Sequence, residues 1–415
     1  MKEILMIAFH FPPFRVSSGI QRTLKFSQYL LNYNWRSLVL TVKPFAYESV
    51  SNDQILEIPK EIVVKRVFAL DTAKHLTVKG RYFRWMALPD RWVSWCFGGI
   101  LTGLWLIIKY KPKFIWSTYP IATAHLIGLI LHLLTGIRWI ADFRDSMTEA
   151  KYPENQTIRL ILKWIERQTI RHCYRAVFTT QGAIRMYAER YPDIAPERWV
   201  LIPNGYDEEN FLRAEKMTGK QDVIENKNSR KLVLLHSGIL YPSERNPTEF
   251  FHALSELKYH GLVTAKRLKI ILRATGHDDL IKSMLNKYCI DDLVYIEPSI
   301  SYEAALAEML TMDGLIIFQA SNCNHQIPAK IYEYLRARRP IFALTDPAGD
   351  TASILIEANI NTISPLDNKD TIKIKFLEFL DDLKKGVAPV ADEEYIKLYS
   401  REAETRLLVD LLNSP

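Results

Sequence analysis

Residues 327–335, IPAKIYEYL, followed at 338–344 by RRPIFAL, decide how this chain folds. Pro328 suits the first position of a helix, because its missing backbone N–H would have no helical partner there in any case. The apolar run at 341–344 predicts a buried strand directly after that helix. A helix that leads straight into a buried strand is typical of an α/β protein with a parallel sheet.

Lys330 and Glu333 lie three residues apart and therefore project from one side of the first helical turn. The free amides of a helix N-terminus favour anions, so Lys330 can meet a phosphate while Glu333 accepts hydrogen bonds from hydroxyl groups. A nucleotide sugar carries both kinds of group. The simpler interpretation is a solvated ion pair worth roughly a few tenths of a kcal/mol. Apolar residues on the other sides of the helix favour a packed helix instead.

The same alternation of apolar, β-rich runs with helical patterns extends over the whole chain. It predicts two doubly wound parallel sheets, whose ligands bind beyond the carboxyl ends of the strands, so that two facing sheets would form one cleft. The domains predicted are 1–206 and 231–390, joined by a polar linker at 207–230 and followed at 391–415 by a helix that packs back on the first domain. The predicted strands are 4–9, 37–42, 62–67, 114–117, 139–142, 176–180 and 199–203, then 231–236, 268–273, 293–297, 314–318, 340–344 and 361–364.

Length and composition agree with two folded domains. The chain has 415 residues, which is too long for one ordinary core, and 48% hydrophobic with 24% charged residues argues against disorder. Residues 1–205 hold 28 Lys and Arg against 15 Asp and Glu, or +13, whereas the remainder hold 26 against 32, or −6. A basic first half suggests an anionic partner such as a phospholipid surface or a phosphorylated carrier lipid. Nucleic acid is not expected, because no zinc-finger, RNP-like or helix-turn-helix pattern stands out.

The cysteines and the apolar stretches bear on the compartment. The four cysteines are scattered without a C-x-x-C pair, and no leader precedes the first strand, which together predict a reducing cytoplasm. Residues 97–108 are too short to span a bilayer. Residues 119–137 are long enough, but they lie between two predicted strands, so we expect a buried helix of a soluble domain.

Two carboxylates and a guanidinium follow a buried strand at Asp142, Arg144 and Asp145. Three charges at this place predict either a structural network that locks the loop or a site that grips a sugar or an acceptor hydroxyl. If one of them accepts a proton from the acceptor, Asp142 and Asp145 are the candidates.

Candidate phosphate contacts follow the first strand of each half. Gly19 stands where a helix begins and would let a backbone approach a phosphate, although taken on its own it favours an ordinary start of a helix. In the second half, Gly238 ends the first strand, and Arg245 follows it in a polar loop from which it can reach a diphosphate. Arg245 can also be a surface charge before the next helix. Together with Lys330, however, it supplies the two cations that a leaving nucleoside diphosphate requires.

At this point the chain resembles glycosyltransferase family 4, and in particular the bacterial members of exopolysaccharide and O-antigen synthesis. Each motif is short, but their order and spacing are specific and extend over nearly the whole chain. The residues that carry the resemblance are HFPP at 10–13 with Gly19 and RTLKF at 22–26, LPD at 88–90, STYP at 117–120, DFRD at 142–145, IPNGYD at 202–207, HSG at 236–238 with RNP at 245–247, and KIYEYL at 330–335.

The resemblance implies the GT-B fold, in which two doubly wound Rossmann-like domains face each other across a cleft, and an enzyme of the hexosyltransferase type. It places Arg245 and Lys330 on the donor diphosphate and Glu333 on the ribose, with Gly19 reaching the diphosphate from the first domain. It also implies a retaining reaction without metal or cofactor. The chain departs from the family pattern at His325, where the family has a second glutamate, and at Ile239, where it often has an arginine.

The leading hypothesis is therefore a transferase that takes a sugar from a UDP-, GDP- or TDP-linked donor. Its acceptor would be a lipid-linked or growing glycan at the cytoplasmic membrane face, with peripheral contact to anionic lipid and no nucleic-acid partner. One alternative is a nucleotide-sugar epimerase of the same fold. The other is a non-catalytic subunit that binds nucleotide sugar in a polysaccharide assembly.

Overall fold

The computed structural model of the protein describes residues 1–14, 19–51, 54–79, 81–149, 152–218 and 231–414. The chain forms two compact units. The first consists of Met1–Asn204 together with Arg401–Pro415, and the second is Gly205–Ser400.

A seven-stranded parallel sheet organises the first unit. Its order is β3-β2-β1-β4-β5-β6-β7, so the direction in which strands are added reverses between β1 and β4. The strands at 2–7, 35–42, 114–118 and 138–144 are almost wholly buried and rich in apolar residues, as expected for a parallel sheet covered on both faces. They are β1 (Lys2–Ile7), β2 (Trp35–Val42), β3 (Val63–Val67), β4 (Phe114–Thr118), β5 (Arg138–Arg144), β6 (Arg175–Phe178) and β7 (Trp199–Leu201).

The second unit is built on a six-stranded parallel sheet of order β10-β9-β8-β11-β12-β13. Here the direction of strand addition reverses between β8 and β11. The strands are β8 (Leu232–Ser237), β9 (Leu268–Arg273), β10 (Val294–Glu297), β11 (Gly314–Gln319), β12 (Ile341–Thr345) and β13 (Ile363–Ser364).

Helices cover both faces of each sheet. In the first unit, α3, α4 and α5 share one apolar core with the sheet, while α1 and α15 share the core of the opposite face. The helices are α1 (Gly19–Tyr29), α2 (Thr72–His75), α3 (Trp95–Tyr110), α4 (Ala122–Thr135), α5 (Gln156–His172), α6 (Gln181–Arg190), α7 (Glu208–Thr218), α8 (Thr248–Tyr259), α9 (Asp278–Lys287), α10 (Tyr302–Thr311), α11 (Lys330–Ala337), α12 (Asp350–Glu357), α13 (Lys369–Lys385), α14 (Glu393–Lys397) and α15 (Arg401–Asn413).

The doubly wound α/β architecture predicted from the sequence is confirmed, and each of the predicted strands overlaps an observed one. Differences occur at helix boundaries. Helix α11 begins at Lys330, two residues after Pro328, with Ala329 as its N-cap. The amphipathic pattern near the carboxyl terminus predicted one helix, but the chain forms α14 and α15 because Ser400 between them pairs with Tyr206.

Two further segments differ from, or add to, the sequence interpretation. Residues 208–218, predicted as part of the linker, form α7, which packs against α10; residues 219–230 of that linker lie outside the described residues. The apolar stretch at 119–137 contains α4, most of whose first three turns are buried against the sheet. In the described ranges, no helix combines the length and the apolar character that crossing a bilayer requires.

Candidate functional site

In the second unit, the switch point between β8 and β11 brings together the loop after β8 and the beginning of α11. In doubly wound sheets, ligands bind at the carboxyl edge of such a point. Gly238, the first residue after β8, has a φ of +148°, and a Cβ built on it would lie 4.0 Å from Cγ of Lys330. The backbone of Gly238 therefore runs beside the Lys330 side chain, and a φ of this value favours glycine.

Lys330 and Glu333 form a pair on the first turn of α11, with 3.0 Å between Nζ and Oε2. Tyr302 of α10 donates its hydroxyl hydrogen to Oε1 of Glu333 at 2.9 Å. The Glu333 side chain is only 13% exposed, whereas that of Lys330 is 36% exposed. The ion pair of the simpler interpretation is thus present, but it lies at the carboxyl edge of the sheet, where Lys330 remains accessible.

Arg245 lies on the other side of the same switch point. Its Nη1 donates to the carbonyl of Ile239 at 3.2 Å, and its Cζ lies 5.5 Å from the ring centroid of Tyr241. Nε of Arg245 is buried and has no hydrogen-bond partner among the described residues. The part of the chain that the structure describes therefore leaves one donor of this guanidinium without an acceptor.

Arg245 and Lys330 both influence the pKa of His236. Burial lowers the pKa of His236 to about 4, and the positive charges of Arg245 and Lys330 act in the same direction, against the hydrogen bond to Ile316. His236 ends β8 and lies directly before the loop that carries Gly238 and Arg245. Arg245 and Lys330, the two cations predicted from the sequence, therefore both influence His236 at the switch point of this sheet.

Hydrogen bonds hold the two loops of the second unit side by side. The amide of Ala320 donates to the carbonyl of Glu244 at 2.7 Å, and Nδ2 of Asn322 donates to the carbonyl of Ser243 at 2.9 Å. The hydroxyl oxygen of Tyr334, on α11, accepts the amide of Ser237 at 2.8 Å. Sequence reasoning missed these contacts, because the partners lie far apart in the chain.

The segment that contains His325 is tied to the loop before α12. Nδ2 of Asn324 donates to Oδ2 of Asp346 at 2.6 Å, and the carbonyl of Asn324 accepts the amide of Asp350 at 2.8 Å. A Cβ on Gly349 would lie 2.8 Å from Oδ1 of Asn324, so only glycine fits there without a shift of Asn324. His325 itself is half-buried beside Gln326.

In the first unit, the switch point lies between β1 and β4. His10 follows β1, stacks on Phe14 with ring centroids 4.8 Å apart, and has a pKa that burial and the charge of Arg144 lower to about 3. Gly19 is the first residue of α1 and is buried; the residues directly before it lie outside the described residues. His10 and Arg144 are therefore close neighbours at this edge.

Asp142 is fully buried at the end of β5, and both its oxygens are engaged. Arg22 of α1 donates Nε to Oδ2 at 3.0 Å and Nη2 to Oδ1 at 2.9 Å. Thr118 donates its hydroxyl to Oδ2 at 2.9 Å. Arg22 also donates to the carbonyls of Ile202 and Pro203. The structural network that the sequence offered as one alternative is present at Asp142.

Arg144, like Asp142, is buried, whereas Asp145 is exposed. A bulge between Asp142 and Arg144 interrupts the pairing with β6, and Arg144 has a φ of +54°, a left-handed conformation uncommon for residues other than glycine. Arg144 is 9% exposed; its Nη1 donates to the carbonyl of Tyr119 at 3.2 Å, and its Nε has no hydrogen-bond partner among the described residues. Asp145 is exposed. Of the two carboxylates, Asp145 is the one that solvent and a ligand can reach.

A buried glutamate holds the segment after Asp145 in place. Oε2 of Glu166 accepts the hydroxyls of Thr148 and Tyr187, at 3.1 and 2.9 Å, and Oε1 accepts Nη1 of Arg190 at 2.7 Å. The hydroxyl oxygen of Tyr187 in turn accepts the amide of Met147 at 3.1 Å. Sequence reasoning did not find this cluster, although a glutamate among the apolar residues of α5 is a signal for it.

Comparison with known proteins adds a family and a fold. Residues 66–205, which lie in the first unit, match the glycosyl transferase 4-like domain. No curated protein matches the chain in sequence.

Solved structures resemble the chain over its full length. Sucrose-phosphate synthase from Thermosynechococcus elongatus superposes with a TM-score of 0.67 at 12% identity, over 99% of this chain and 98% of the other. HepE of Anabaena in complex with UDP-glucose gives a TM-score of 0.67 at 14% identity, over 100% of each chain. The UDP-GlcNAc 2-epimerase from Neisseria meningitidis bound to UDP-GlcNAc gives 0.55 at 10% identity, over 99% of each chain.

Likeness at such low identity establishes the fold, which is GT-B, as the resemblance implied. The family match is limited to residues 66–205 and concerns a domain of the first unit. Residues 66–205 of this chain therefore match a glycosyl transferase 4-like domain, and the chain as a whole has the GT-B fold.

Proposed function

We propose that the enzyme transfers a sugar from a UDP-, GDP- or TDP-linked donor to a glycan or lipid-linked acceptor in the synthesis of a bacterial surface polysaccharide. The observation that carries the proposal is the position of Arg245 and Lys330 at the switch point of the second sheet, where Arg245 donates to the carbonyl of Ile239 and Lys330 lies beside Gly238. A diphosphate needs two such cations in reach. UDP is the favoured carrier, because the HepE structures contain UDP or UDP-glucose.

The donor lies on the second unit in this proposal. Half-buried Arg245 offers its guanidinium, and Lys330 its accessible ammonium, to the diphosphate, while the backbone at Gly238 allows close approach. Glu333, whose Oε1 is held by Tyr302, accepts hydrogen bonds from the ribose hydroxyls with Oε2. When donor binds, Lys330 exchanges its contact with Glu333 for one with phosphate.

The chemistry follows from where charge develops. The bond between the anomeric carbon and the diphosphate oxygen breaks, a bond from the acceptor oxygen to that carbon forms, and the acceptor hydroxyl loses its proton. Arg245 and Lys330 stabilise the negative charge on the leaving nucleoside diphosphate, so the reaction is proposed to be metal-independent. We further propose retention of the anomeric configuration, on the family resemblance; the acceptor oxygen then attacks the anomeric carbon from the same face that the diphosphate leaves.

The acceptor contacts are proposed for the first unit. Asp145 is exposed at the carboxyl edge of β5, and it is the candidate that orients the acceptor hydroxyl and takes its proton. Buried Arg144 directs positive charge to the same edge, and Gly19 offers backbone from the start of α1. Asp142 contributes by holding β5 to α1 through Arg22.

The test has two stages on the intact protein. Thermal unfolding with UDP-, GDP-, TDP- and ADP-sugars should show stabilisation by one donor class, since a ligand that binds the folded state raises the melting temperature. The stabilising donor is then incubated with membrane extract, and release of nucleoside diphosphate should depend on the extract. Stabilisation without release under any acceptor condition would contradict the transferase and favour a non-catalytic binding subunit.

One alternative function has an observation in its favour. The chain shares its fold over 99% of each chain with the UDP-GlcNAc 2-epimerase of Neisseria meningitidis. An epimerase would change the sugar configuration of the donor without any acceptor. Proton NMR of the donor incubated with enzyme alone separates the two, because the transferase leaves the sugar configuration unchanged.

We also propose a cytoplasmic enzyme that contacts an anionic membrane peripherally, where a lipid-linked acceptor would be located. The support is the charge of the first half of the chain, +13 over residues 1–205. Such a charge attracts the chain to anionic lipid.

A further inference from the structure

Helix α3 exposes an apolar stripe along one side. Phe97, Leu101, Trp105 and Ile108 are 76%, 54%, 43% and 75% exposed. Their spacing of four, four and three residues places them on one face of the helix, opposite the residues that pack on the sheet. A water-soluble helix normally carries polar side chains on this face.

The stripe continues onto neighbouring elements. Phe68 is 53% exposed and lies where α3 begins, since a Cβ on Gly98 would be 3.6 Å from the carbonyl oxygen of Phe68. Helix α4 packs against both α3 and α5. Near its end Leu133 and Leu134 are about as exposed as Leu101, at 60% and 62%. We call the outer side of α3, α4 and α5 the helix-layer face. An exposed apolar surface of this extent marks an interaction site.

The charges on this face have one sign. Throughout α3, α4 and α5, all of whose residues the structure describes, the one carboxylate is Glu166, which is fully buried and bound to Arg190. The cations Arg159, Lys163, Arg167 and Arg171 recur every four residues along α5, and all but the first, which is half-buried, are exposed. The helix-layer face is therefore apolar on α3 and cationic on α5.

Two lysines flank the tryptophan at the middle of the stripe. The ammonium groups of Lys65 and Lys109 lie 5.2 and 4.8 Å from the ring centroid of Trp105. Tryptophan with nearby lysines suits the boundary between lipid headgroups and acyl chains, because the ring is amphipathic and the ammonium groups can reach the phosphates.

This combination selects among possible occupants. A second copy of the chain on the same face would bring two cationic α5 helices together and would be repelled. A neutral apolar protein surface would leave the α5 cations without partners. An anionic bilayer accepts both features, because the apolar side chains enter the interface and the cations meet lipid phosphates.

We propose that the helix-layer face docks on an anionic lipid membrane, with Phe97, Leu101, Trp105 and Ile108 inserted at headgroup depth and the α5 cations on the lipid phosphates. This docking presupposes the peripheral membrane contact proposed above and assigns that contact to the helix-layer face. Helix α4 begins shortly after β4 ends, and the first turn of α3 lies beside Phe68, just past the end of β3, so the face borders the carboxyl edge that carries Asp145. A lipid-linked acceptor held in the membrane is then close to that edge.

Vesicle flotation tests the surface with the full-length protein. The probes are vesicles of phosphatidylcholine alone and vesicles that also contain phosphatidylglycerol. Wild type should bind the second kind, and less at high salt because screening weakens exposed charges. Two double variants test the face. The α3 variant carries Phe97→Ser and Ile108→Ser, and the α5 variant carries Lys163→Glu and Arg167→Glu. Each should reduce vesicle binding at least about tenfold.

Matched controls come from the second unit. Ile374→Ser removes an apolar side chain that is 59% exposed on α13, and Lys282→Glu reverses an exposed charge on α9. Both should leave flotation unchanged. Circular dichroism and stabilisation by nucleotide sugar, measured on the same samples, establish that each variant is folded and that the donor site is intact.

The outcomes separate the proposals. Unchanged flotation of both α3 and α5 variants would overturn the docking surface while leaving membrane contact standing. Absence of wild-type binding to anionic vesicles would overturn the surface and the membrane contact together, whereas donor stabilisation tests the transferase independently. A wild-type dimer in sedimentation that dissociates with Phe97→Ser and Ile108→Ser would overturn the proposal in favour of a second copy.

Discussion

Arg22 donates hydrogen bonds to both carboxylate oxygens of Asp142, with Nε 3.0 Å from Oδ2 and Nη2 2.9 Å from Oδ1. Both side chains are at most 1% exposed. Two further Arg22 donor hydrogens reach the carbonyls of Ile202 and Pro203. The contact therefore joins α1, β5 and the segment after β7 at the edge that carries the proposed acceptor site.

We expect Arg22→Ala to destabilise the protein by about 3–5 kcal/mol, because it leaves the buried Asp142 charge without its partner. Urea unfolding measures the change in the free energy of unfolding. Lys163→Ala, which removes an exposed cation of α5, is the control and should shift it by no more than about 0.5 kcal/mol. Equal stability of the two variants would contradict the role assigned to the pair.

Glu333→Ala should weaken donor binding about tenfold or more, because a hydrogen bond to a charged group contributes about 1.5–3 kcal/mol. Isothermal titration with the stabilising nucleotide sugar measures the affinity. The chain provides a matched control in Glu378→Ala, since Lys375 and Glu378 form an exposed pair of the same i,i+3 spacing at 2.9 Å. Unchanged donor affinity for Glu333→Ala would refute its ribose role.

Arg245→Ala and Lys330→Ala should each lower donor affinity about tenfold, and each should also lower kcat, since the leaving diphosphate gains charge in the transition state. The control is Arg338→Ala, which removes an exposed cation just past the opposite end of α11, where it pairs with Glu393. Steady-state kinetics with the preferred donor gives kcat and KM. A pure KM effect would limit the two cations to ground-state binding.

The strands could be predicted because parallel strands buried on both faces are continuous apolar runs, as at Ile341–Thr345. The cations at the second switch point could also be predicted, since Arg245 and Lys330 follow neighbouring strands of the sheet. The Arg22–Asp142 pair could not, because its partners are 120 positions apart and no local pattern links them. The one available signal for this pair was Arg22 itself, a cation close to the apolar residues Leu24 and Phe26.

The sequence also could not rank Asp142 against Asp145. Both follow the same apolar run, and their difference in burial depends on the bulge and the left-handed φ at Arg144. The helix-layer face was equally hidden, since the exposed side of α3 is as apolar as its buried side. Burial in three dimensions, and not residue type, distinguishes these cases.

Asp145→Asn should lower kcat by about 10²–10⁴-fold with little change in donor affinity, because general-base catalysis contributes about that factor. The amide keeps the size of the side chain but cannot accept the acceptor proton. Glu154→Gln, at an exposed carboxylate nine positions further on, is the control. A kcat within a few-fold of wild type would remove Asp145 from the proton transfer.

The stability of the protein should fall as the pH falls from about 6.5 towards 4, in part because of His236. Its pKa is lowered from 6.5 to about 4 in the folded chain, so the unfolded state binds more protons in this range. Above pH 6.5 His236 is neutral in both states and does not lower the free energy of unfolding. By about pH 4 its protonation in the unfolded state has lowered that free energy by about 3 kcal/mol. In urea unfolding across this range, His236→Asn, which keeps a donor for the carbonyl of Ile316 but does not titrate, should show a shallower slope. The control is Lys282→Glu, which should retain the wild-type dependence of the free energy of unfolding on pH near neutral pH. If His236→Asn also shows the wild-type dependence, the loss of stability is assigned to His10 and His125, whose pKa values are lowered to about 3.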